Sequence, residues 1–183
     1  MSILKRNVVT PPEEYLEGEK YSEVKHEYVN GHIYAMVGVS RAHNQITLNL
    51  AAALKTHLRG TPCRVFISDI KVRKDNIFYY PDVVVTCDET RRHEYYVEEP
   101  VLVVEVLSPS TEARDGLDKR LVYQSIPTLQ EYVLLAQDKR EAQLYRRAPE
   151  GWDLETYGPN EDVRLTAIDF TCPIETIYEA AWD

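Results

Sequence analysis

The segment of residues 101–107 is the feature that most constrains how this chain of 183 residues folds. Apart from Glu105 it contains only valine and leucine, which is typical of a central strand covered on both faces. An ionised carboxylate in such a strand is strongly unfavourable unless it is paired or binds a metal ion. The sequence therefore predicts a functional site at Glu105. Two alternatives would explain Glu105 without a function: the strand end opens to solvent at Glu105, or a buried arginine pairs with it.

The other patterns predict a mixed sheet with helices on its faces. Asn30-Gly31 between two β-rich runs is a strong hairpin signal, and apolar residues at i+4 spacing over residues 42–58 predict an amphipathic helix against a sheet. Residues 63–73 and 77–87 are predicted as one hairpin, interrupted only at Pro81. Further helices are predicted at about residues 10–20, at 111–126 and after Pro173, and antiparallel strands at 131–136, 141–147 and 152–157. The fold class is α/β or α+β, in a single domain over residues 1–183.

Charge and aromatic content restrict the partners. Lys and Arg total 21 against 30 Asp and Glu, a net charge of -9, which disfavours a protein that coats nucleic acid non-specifically. Any DNA contact then depends on local basic clusters, namely Lys71/Arg73/Lys74, Arg91/Arg92, Lys139/Arg140 and Arg146/Arg147. Thirteen tyrosines against three phenylalanines indicate half-buried aromatics on sheets and at interfaces, which favours a homodimer.

The cysteines and the hydropathy profile indicate a cytoplasmic protein. Cys63, Cys87 and Cys172 are far apart and lack zinc-ligand spacing, so they are predicted to be reduced core residues. The N-terminal residues lack the apolar stretch of a signal peptide, and no run is long enough for a membrane span. We therefore expect no membrane association.

A second carboxylate, Asp82, follows Tyr80-Pro81 where a strand emerges from a loop. Alone, Pro-Asp is more often a turn than a catalytic motif, but a second carboxylate on a neighbouring strand gives it weight. Two carboxylates with water ligands form a hard oxygen site suited to Mg²⁺. Such an ion can activate water and neutralise charge on a phosphate, and Lys119 is the candidate for stabilising the transition state.

Several stretches carry a family resemblance. They are Pro81-Asp82-Val83-Val84-Val85, Val103-Val104-Glu105-Val106-Leu107-Ser108-Pro109-Ser110-Thr111, and Asp115, Asp118, Lys119 and Tyr123 on the following helix. Together they resemble the Uma2 family of endonucleases, a branch of the PD-(D/E)XK nuclease superfamily. The resemblance extends over most of the chain, and residues 105–111 are its most specific element. It implies a restriction-endonuclease-like mixed sheet flanked by helices.

The resemblance also assigns roles to residues. Asp82 and Glu105 would be the metal-binding acids, and Glu27 an auxiliary acid, unless Glu27 is an exposed hairpin charge. The superfamily lysine normally stands two residues after the acid, where this chain has Leu107, so the role would move to Lys119 on the next helix.

Other residues near this site have open roles. Lys119 could instead be a solvated helix lysine or pair with Asp115 at i, i+4 spacing, and Asp118 is the alternative participant on that helix. Asp69 could border the site or form a cross-strand ion pair with Lys71. His43 could donate a hydrogen bond to a phosphate, although a lone histidine is more often a local hydrogen-bonding residue.

These features predict a Mg²⁺-dependent endonuclease that hydrolyses DNA by metal-activated water, with Mn²⁺ as a possible substitute ion. Its catalytic residues would be Asp82, Glu105, Lys119 and Glu27. The alternative is a catalytically inactive nuclease-like domain that acts as an oligomeric or binding module, because a displaced lysine is also what loss of function could leave behind.

Overall fold

A computed structural model describes residues 9–88, 93–107 and 116–182, without the side chains of residues 116–118. Its helices are α1 (Pro12–Glu19), α2 (Arg41–His57), α3 (Gly116–Gln124) and α4 (Ile174–Ile177), with a short 3₁₀ turn at Thr166–Ile168. Its strands are β1 (His26–Val29), β2 (His32–Ala35), β3 (Arg64–Ile67), β4 (Lys71–Lys74), β5 (Ile77–Tyr79), β6 (Val83–Thr86), β7 (Tyr96–Val97), β8 (Leu102–Leu107), β9 (Glu131–Ala136), β10 (Ala142–Ala148), β11 (Gly151–Tyr157), β12 (Asp162–Leu165) and β13 (Phe170–Pro173).

The strands form two mixed sheets and one short ribbon. The large sheet has the order β11-β10-β9-β8-β6-β3, in which β8 and β9 run parallel and the other neighbours are antiparallel. The small sheet has the order β2-β1-β5-β4-β7, and β12 pairs with β13. The predicted mixed sheet with flanking helices is confirmed, and β8 lies between β6 and β9 with all but its last residue buried.

Each face of the large sheet has its own core. Val104 and Val106 pack on the side of α2, α4 and the β12–β13 ribbon. Val103 packs on the other side with Tyr123 of α3 and with residues of the small sheet. Because successive side chains of a strand alternate between faces, Glu105 lies on the α3 side with Val103. The odd-numbered positions of β8 therefore point to the junction between the two sheets.

The hairpin predicted over residues 63–87 bends from one sheet into the other. Its base, β3 and β6, belongs to the large sheet, and its tip, β4 and β5, belongs to the small sheet. One arm breaks at Ser68, which adopts a left-handed φ of 40°, and the other breaks at Pro81, which has no backbone N–H to donate. The bend places Asp82 at the junction of the two sheets.

The structure corrects the prediction for two cysteines. Cys63 and Cys87 are joined by a disulfide, whereas Cys172 is a free, buried thiol as predicted. The two bonded cysteines directly flank the paired residues Arg64 and Thr86 at the end of the β3–β6 ladder, so strand pairing brings them together although they are distant in sequence. Strand β7 and the β12–β13 ribbon were not predicted from the sequence. The predicted start of α3, at residues 111–115, lies outside the described residues. Within the described chain, no helix is long and apolar enough to cross a membrane.

Candidate active site

Asp82 lies immediately before β6, one position beyond the paired residues Val83 and Val104. Extending this antiparallel ladder by one residue places Asp82 opposite Glu105. The backbone N–H of Val106 donates to Asp82 Oδ2 at 2.7 Å, which fixes the carboxylate against β8. The side chain is mostly buried, with 16% of its surface exposed. The two predicted metal-binding acids are therefore neighbours on adjacent strands.

Glu105 is buried on the α3 side of β8, and its partners come from that helix. The Tyr123 hydroxyl donates to Glu105 Oε1 at 3.1 Å, and Lys119 Nζ lies 3.8 Å from the same oxygen. Only 8% of Glu105 is exposed, so the alternative in which the strand end opens to solvent at this residue is excluded. A buried arginine does not pair with it either: among the described residues its cationic neighbour is Lys119.

Lys119 connects the two sheets. Its ammonium group donates to Glu27 Oε1 on β1 at 2.6 Å, and it lies 5.2 Å from the centre of the Tyr79 ring. Lys119 and Glu27 are both largely buried, so this ion pair is poorly screened by solvent. Glu27 Oε1 also accepts from the Tyr80 backbone N–H at 3.3 Å, two residues before Asp82. Lys119 is therefore neither a solvated helix lysine nor remote from the acids, and Glu27 is not an exposed hairpin charge.

The surroundings of Glu105 disfavour its ionised form. Burial raises the pKa of the Glu105 carboxyl to about 8, and the charges of Asp82 and Glu27 contribute in the same direction. The Lys119 ammonium and the Tyr123 hydrogen bond oppose this rise. The pKa of Tyr123 is itself raised well above its usual range, mainly by burial, so its hydroxyl stays protonated and donates. Ionising all three carboxylates beside one lysine would leave an excess of negative charge that a cation would offset.

His43 contacts Asp82 from the other side of the junction. Its Nε2 lies 3.2 Å from Asp82 Oδ2, and the ring is buried near the start of α2. Ser40 caps this helix by accepting a hydrogen bond from the His43 backbone N–H. The structure therefore brings His43 into the carboxylate cluster that we define as the junction cluster: Asp82, Glu105, Glu27, Lys119, His43 and Tyr123.

Asp69 and Asp118 have different positions. The Ser68 backbone N–H donates to the Asp82 carbonyl, so Asp69 is close to the cluster along the chain, but its carboxylate is exposed and pairs with Lys25. The pairing alternative with Lys71 is wrong, because Asp69 is bound to Lys25 and the Lys71 ammonium stacks on the Tyr80 ring. The side chain of Asp118 lies outside the described residues, as does Asp115.

The cluster offers oxygen ligands of the kind that Mg²⁺ binds. In the described chain, Asp82 Oδ1 and Glu105 Oε2 accept no hydrogen bond, whereas the other oxygen of each carboxylate is engaged by protein donors. No three His, Cys, Asp or Glu side chains in the described residues are arranged to hold a metal ion among themselves. Because Mg²⁺ usually binds through one or two carboxylates and retains several waters, two free carboxylate oxygens fit it, while a zinc site with four protein ligands does not fit.

Most of the basic clusters predicted to contact DNA are used within the protein. Arg147 donates to the backbone carbonyls of Gln124, Ile126 and Leu129, and Arg146 pairs with the buried Glu131. Similar intramolecular contacts involve Arg73 with Glu98, Lys74 with Asp75, Lys139 with Glu141 and Arg140 with the Trp182 ring. Arg91 and Arg92 lie outside the described residues. The described members therefore contribute mainly to the fold.

Two groups that donate hydrogen bonds to the carboxylates of the junction cluster were missed as functional candidates. Tyr123 was recognised only as part of a family motif, and its hydrogen bond to Glu105 spans 18 residues of sequence. The Val106 backbone N–H carries no sequence signal at all, although the residue follows Glu105 directly. Helical spacing offers a signal for Tyr123, because Lys119 and Tyr123 are four residues apart and share one face of α3.

Comparisons with known proteins agree with this architecture. The family model Uma2, described as "Putative restriction endonuclease", matches residues 12–175. Two proteins of Synechocystis sp. (strain ATCC 27184 / PCC 6803 / Kazusa) are similar over most of their length. "Uncharacterized protein slr1290" is 40% identical over 171 residues, covering 91% of this chain and 90% of the relative. "Uncharacterized protein sll1609" is 30% identical over 173 residues, covering 91% and 98%.

A solved structure shows the same fold. The crystal structure of "a putative nuclease belonging to DUF820" from Anabaena variabilis ATCC 29413 superposes with a TM-score of 0.75, covering 93% of this chain and 98% of that one. Its sequence identity of 17% makes this a likeness of fold alone. The family match spans both carboxylates, Glu27 and Lys119. The chain therefore has a restriction-endonuclease-like fold and belongs to the Uma2 family, which is described as "Putative restriction endonuclease".

Proposed function

We propose that this protein is a Mg²⁺-dependent endonuclease that hydrolyses DNA phosphodiester bonds, with Mn²⁺ as a substitute ion. The observation that carries the proposal is the adjacency of Asp82 and Glu105 on neighbouring strands, each with one carboxylate oxygen free of protein hydrogen bonds in the described chain. Membership of the Uma2 family supports nuclease chemistry. The metal, the substrate and the residue roles are our proposal.

Asp82 and Glu105 would hold the ion through Oδ1 and Oε2. A bound Mg²⁺ would supply an activated water and neutralise the charge that develops on the phosphate. Its positive charge would also favour the ionised form of Glu105, whose pKa is raised to about 8 without it. The excess negative charge of the junction cluster thereby becomes an attraction for the ion.

Lys119 would provide the cationic group that the superfamily places two residues after the acid. Its Nζ lies 3.8 Å from Glu105 Oε1, so the ammonium group reaches the same site from α3 rather than from β8. There it would position the attacking water or stabilise the transition-state charge. Glu27 would orient Lys119 through their 2.6 Å hydrogen bond. Leu107 leaves the original position apolar, where it packs against the α3-side core.

The test is metal-dependent cleavage of plasmid DNA by purified protein. Asp82→Asn and Glu105→Gln should each abolish cleavage, and Lys119→Met should slow it by about 100-fold, as expected when one preorganised charge-stabilising group is removed. Asp69→Asn is the matched control, because its exposed carboxylate lies beside the cluster but pairs with Lys25. Unchanged cleavage by both Asp82→Asn and Glu105→Gln would show that the assignment is wrong.

The second candidate is an inactive nuclease-like binding module, which the apolar Leu107 favours. Metal-linked stability separates the two candidates without a substrate. An intact site is stabilised by Mg²⁺ or Mn²⁺ in a thermal-shift assay, and the stabilisation disappears in Glu105→Gln. A degenerate site shows no stabilisation in the wild-type protein.

Homodimerisation stays a prediction. Ile33, Tyr34 and Val37, in and just after edge strand β2, expose apolar surface, which is compatible with an interface. Light scattering that finds only monomer at high protein concentration would contradict it.

A further inference from the structure

The His43 ring lies against the Asp82 carboxylate. Its ring nitrogen Nε2 lies 3.2 Å from Asp82 Oδ2, and because a carboxylate can only accept, a proton on Nε2 makes this contact attractive. The ring is supplied by the first turn of α2, whose start is fixed by the Ser40 cap. The donor is therefore attached to a helix and not to a loop.

The Val106 backbone N–H donates to the same oxygen. It lies 2.7 Å from Asp82 Oδ2 and is held in place by strand β8. The Val106 N–H and the His43 ring nitrogen, from two different elements, therefore converge on Oδ2, and Oδ1 receives no hydrogen bond from the described residues. This arrangement fixes the plane of the carboxylate and determines which of its oxygens remains available.

Packing alone does not explain a histidine at this position. Only 7% of His43 is exposed, and its second ring nitrogen, Nδ1, is buried without a hydrogen-bond partner. A buried polar atom without a partner lowers stability, so an apolar side chain of similar size would suit the fold better. The contact of His43 that uses its polarity is the one to Asp82.

We propose that His43 is a positioning residue that orients the Asp82 carboxylate so that Oδ1 is presented to a divalent cation. The proposal rests on the proposed function, in which Asp82 is a metal ligand. Hydrogen-bonded partners of ligating carboxylates commonly affect metal affinity by 10-fold or more. His43 would therefore change the binding of the ion without touching it.

The test measures Mn²⁺ binding directly, from the loss of the electron paramagnetic resonance signal of the free ion. His43→Leu removes the donor but keeps the volume, and it should weaken Mn²⁺ binding by about 10-fold. His43→Gln retains an amide donor and should restore most of the affinity. Thr47→Val is the matched control, because Thr47 is buried one turn further along α2 and its hydroxyl bonds only to the His43 carbonyl.

Unfolding of the metal-free variants separates positioning from a structural role. If His43→Leu and Thr47→Val melt close to the wild type while only His43→Leu loses affinity, the proposal is supported. If the wild-type protein binds Mn²⁺ and His43→Leu binds it with the same dissociation constant, the positioning role is overturned and the proposed function is left intact. Absence of Mn²⁺ binding in the wild type overturns the metal site and the role of His43 together.

Discussion

At the residue scale, the burial of Glu105 makes the stability of the metal-free protein depend on pH. Its folded-state pKa of about 8 exceeds its ordinary value of 4.5. A raised pKa means that the contribution to stability is full below the ordinary value and is lost as pH rises through about 8. In EDTA, the stability of Glu105→Gln relative to the wild type should therefore rise between pH 5 and pH 9, by about 1 kcal/mol or more.

The measurement is chemical unfolding of both proteins at each pH. The difference between the two curves reports the titration of Glu105 together with its coupling to Asp82, Glu27 and Lys119, because the remaining groups are common to both proteins. For a chain of this size, 1 kcal/mol corresponds to roughly 2–4 °C in Tm. A difference that does not change between pH 5 and pH 9 would contradict the raised pKa.

The cysteines give a prediction of thiol counts. With Cys63 and Cys87 joined and Cys172 buried, the native protein should react with a thiol reagent hardly at all. Denaturation without reductant should expose one thiol per chain, and denaturation after reduction should expose three. Three reactive thiols in protein denatured without reductant would show that the bond is absent, as the sequence analysis expected.

Single residues of the site were predictable to different degrees. Glu105 was predictable because a carboxylate in an apolar strand conflicts with its surroundings, and Asp82 because Pro81 marks where a strand emerges from a loop; the family pattern supported both. The contact of His43 with Asp82 was not predictable, because it depends on how α2 packs across the large sheet. The disulfide between Cys63 and Cys87 was not predictable either, because it depends on the register in which β3 pairs with β6.

At the element scale, the bent hairpin shows where local patterns stop being informative. Alternation of side chains predicted both arms, and Pro81 marked one break. The break in the other arm is at Ser68, whose left-handed backbone has no glycine or asparagine to signal it. The division of the hairpin between two sheets depends on both breaks, so the sequence predicted the strands but not the junction that holds Asp82.

The β1–β2 turn allows a prediction at this scale. Gly31 has a φ of +93°, and a Cβ added there would collide with the Val9 side chain. Gly31→Ala should therefore lower the free energy of unfolding by more than about 1 kcal/mol. Gly18→Ala is the control, because Gly18 lies in α1 with no atom within 4 Å of an added Cβ.

Thermal or chemical unfolding of the two variants should give opposite signs. Alanine is the better helix former, so Gly18→Ala should stabilise the protein by up to about 1 kcal/mol. Equal effects of the two substitutions would contradict the steric role of Gly31.

At the scale of the whole molecule, net charge limits how a nuclease of this kind can bind DNA. The chain carries a charge of -9. Arg146, Arg147 and Arg73 are engaged by carboxylates or backbone carbonyls of the same chain. Under the proposed function, the described residues would supply few phosphate contacts beside those of the metal, and no broad basic surface.

Salt dependence measures the number of those contacts. Each neutralised phosphate contributes about −0.9 to the slope of log K against log salt concentration. We expect Lys119→Met, which retains both carboxylates, to bind duplex DNA in Ca²⁺ with a slope shallower than about −4, corresponding to roughly four phosphates or fewer. Fluorescence anisotropy over a range of salt concentrations provides the slope. Arg164→Gln should not change it, because Arg164 is exposed on the ribbon, which packs on the face of the large sheet opposite α3. A slope near −8 would contradict this expectation, because it would require an extended basic surface that the charges of the described chain do not provide.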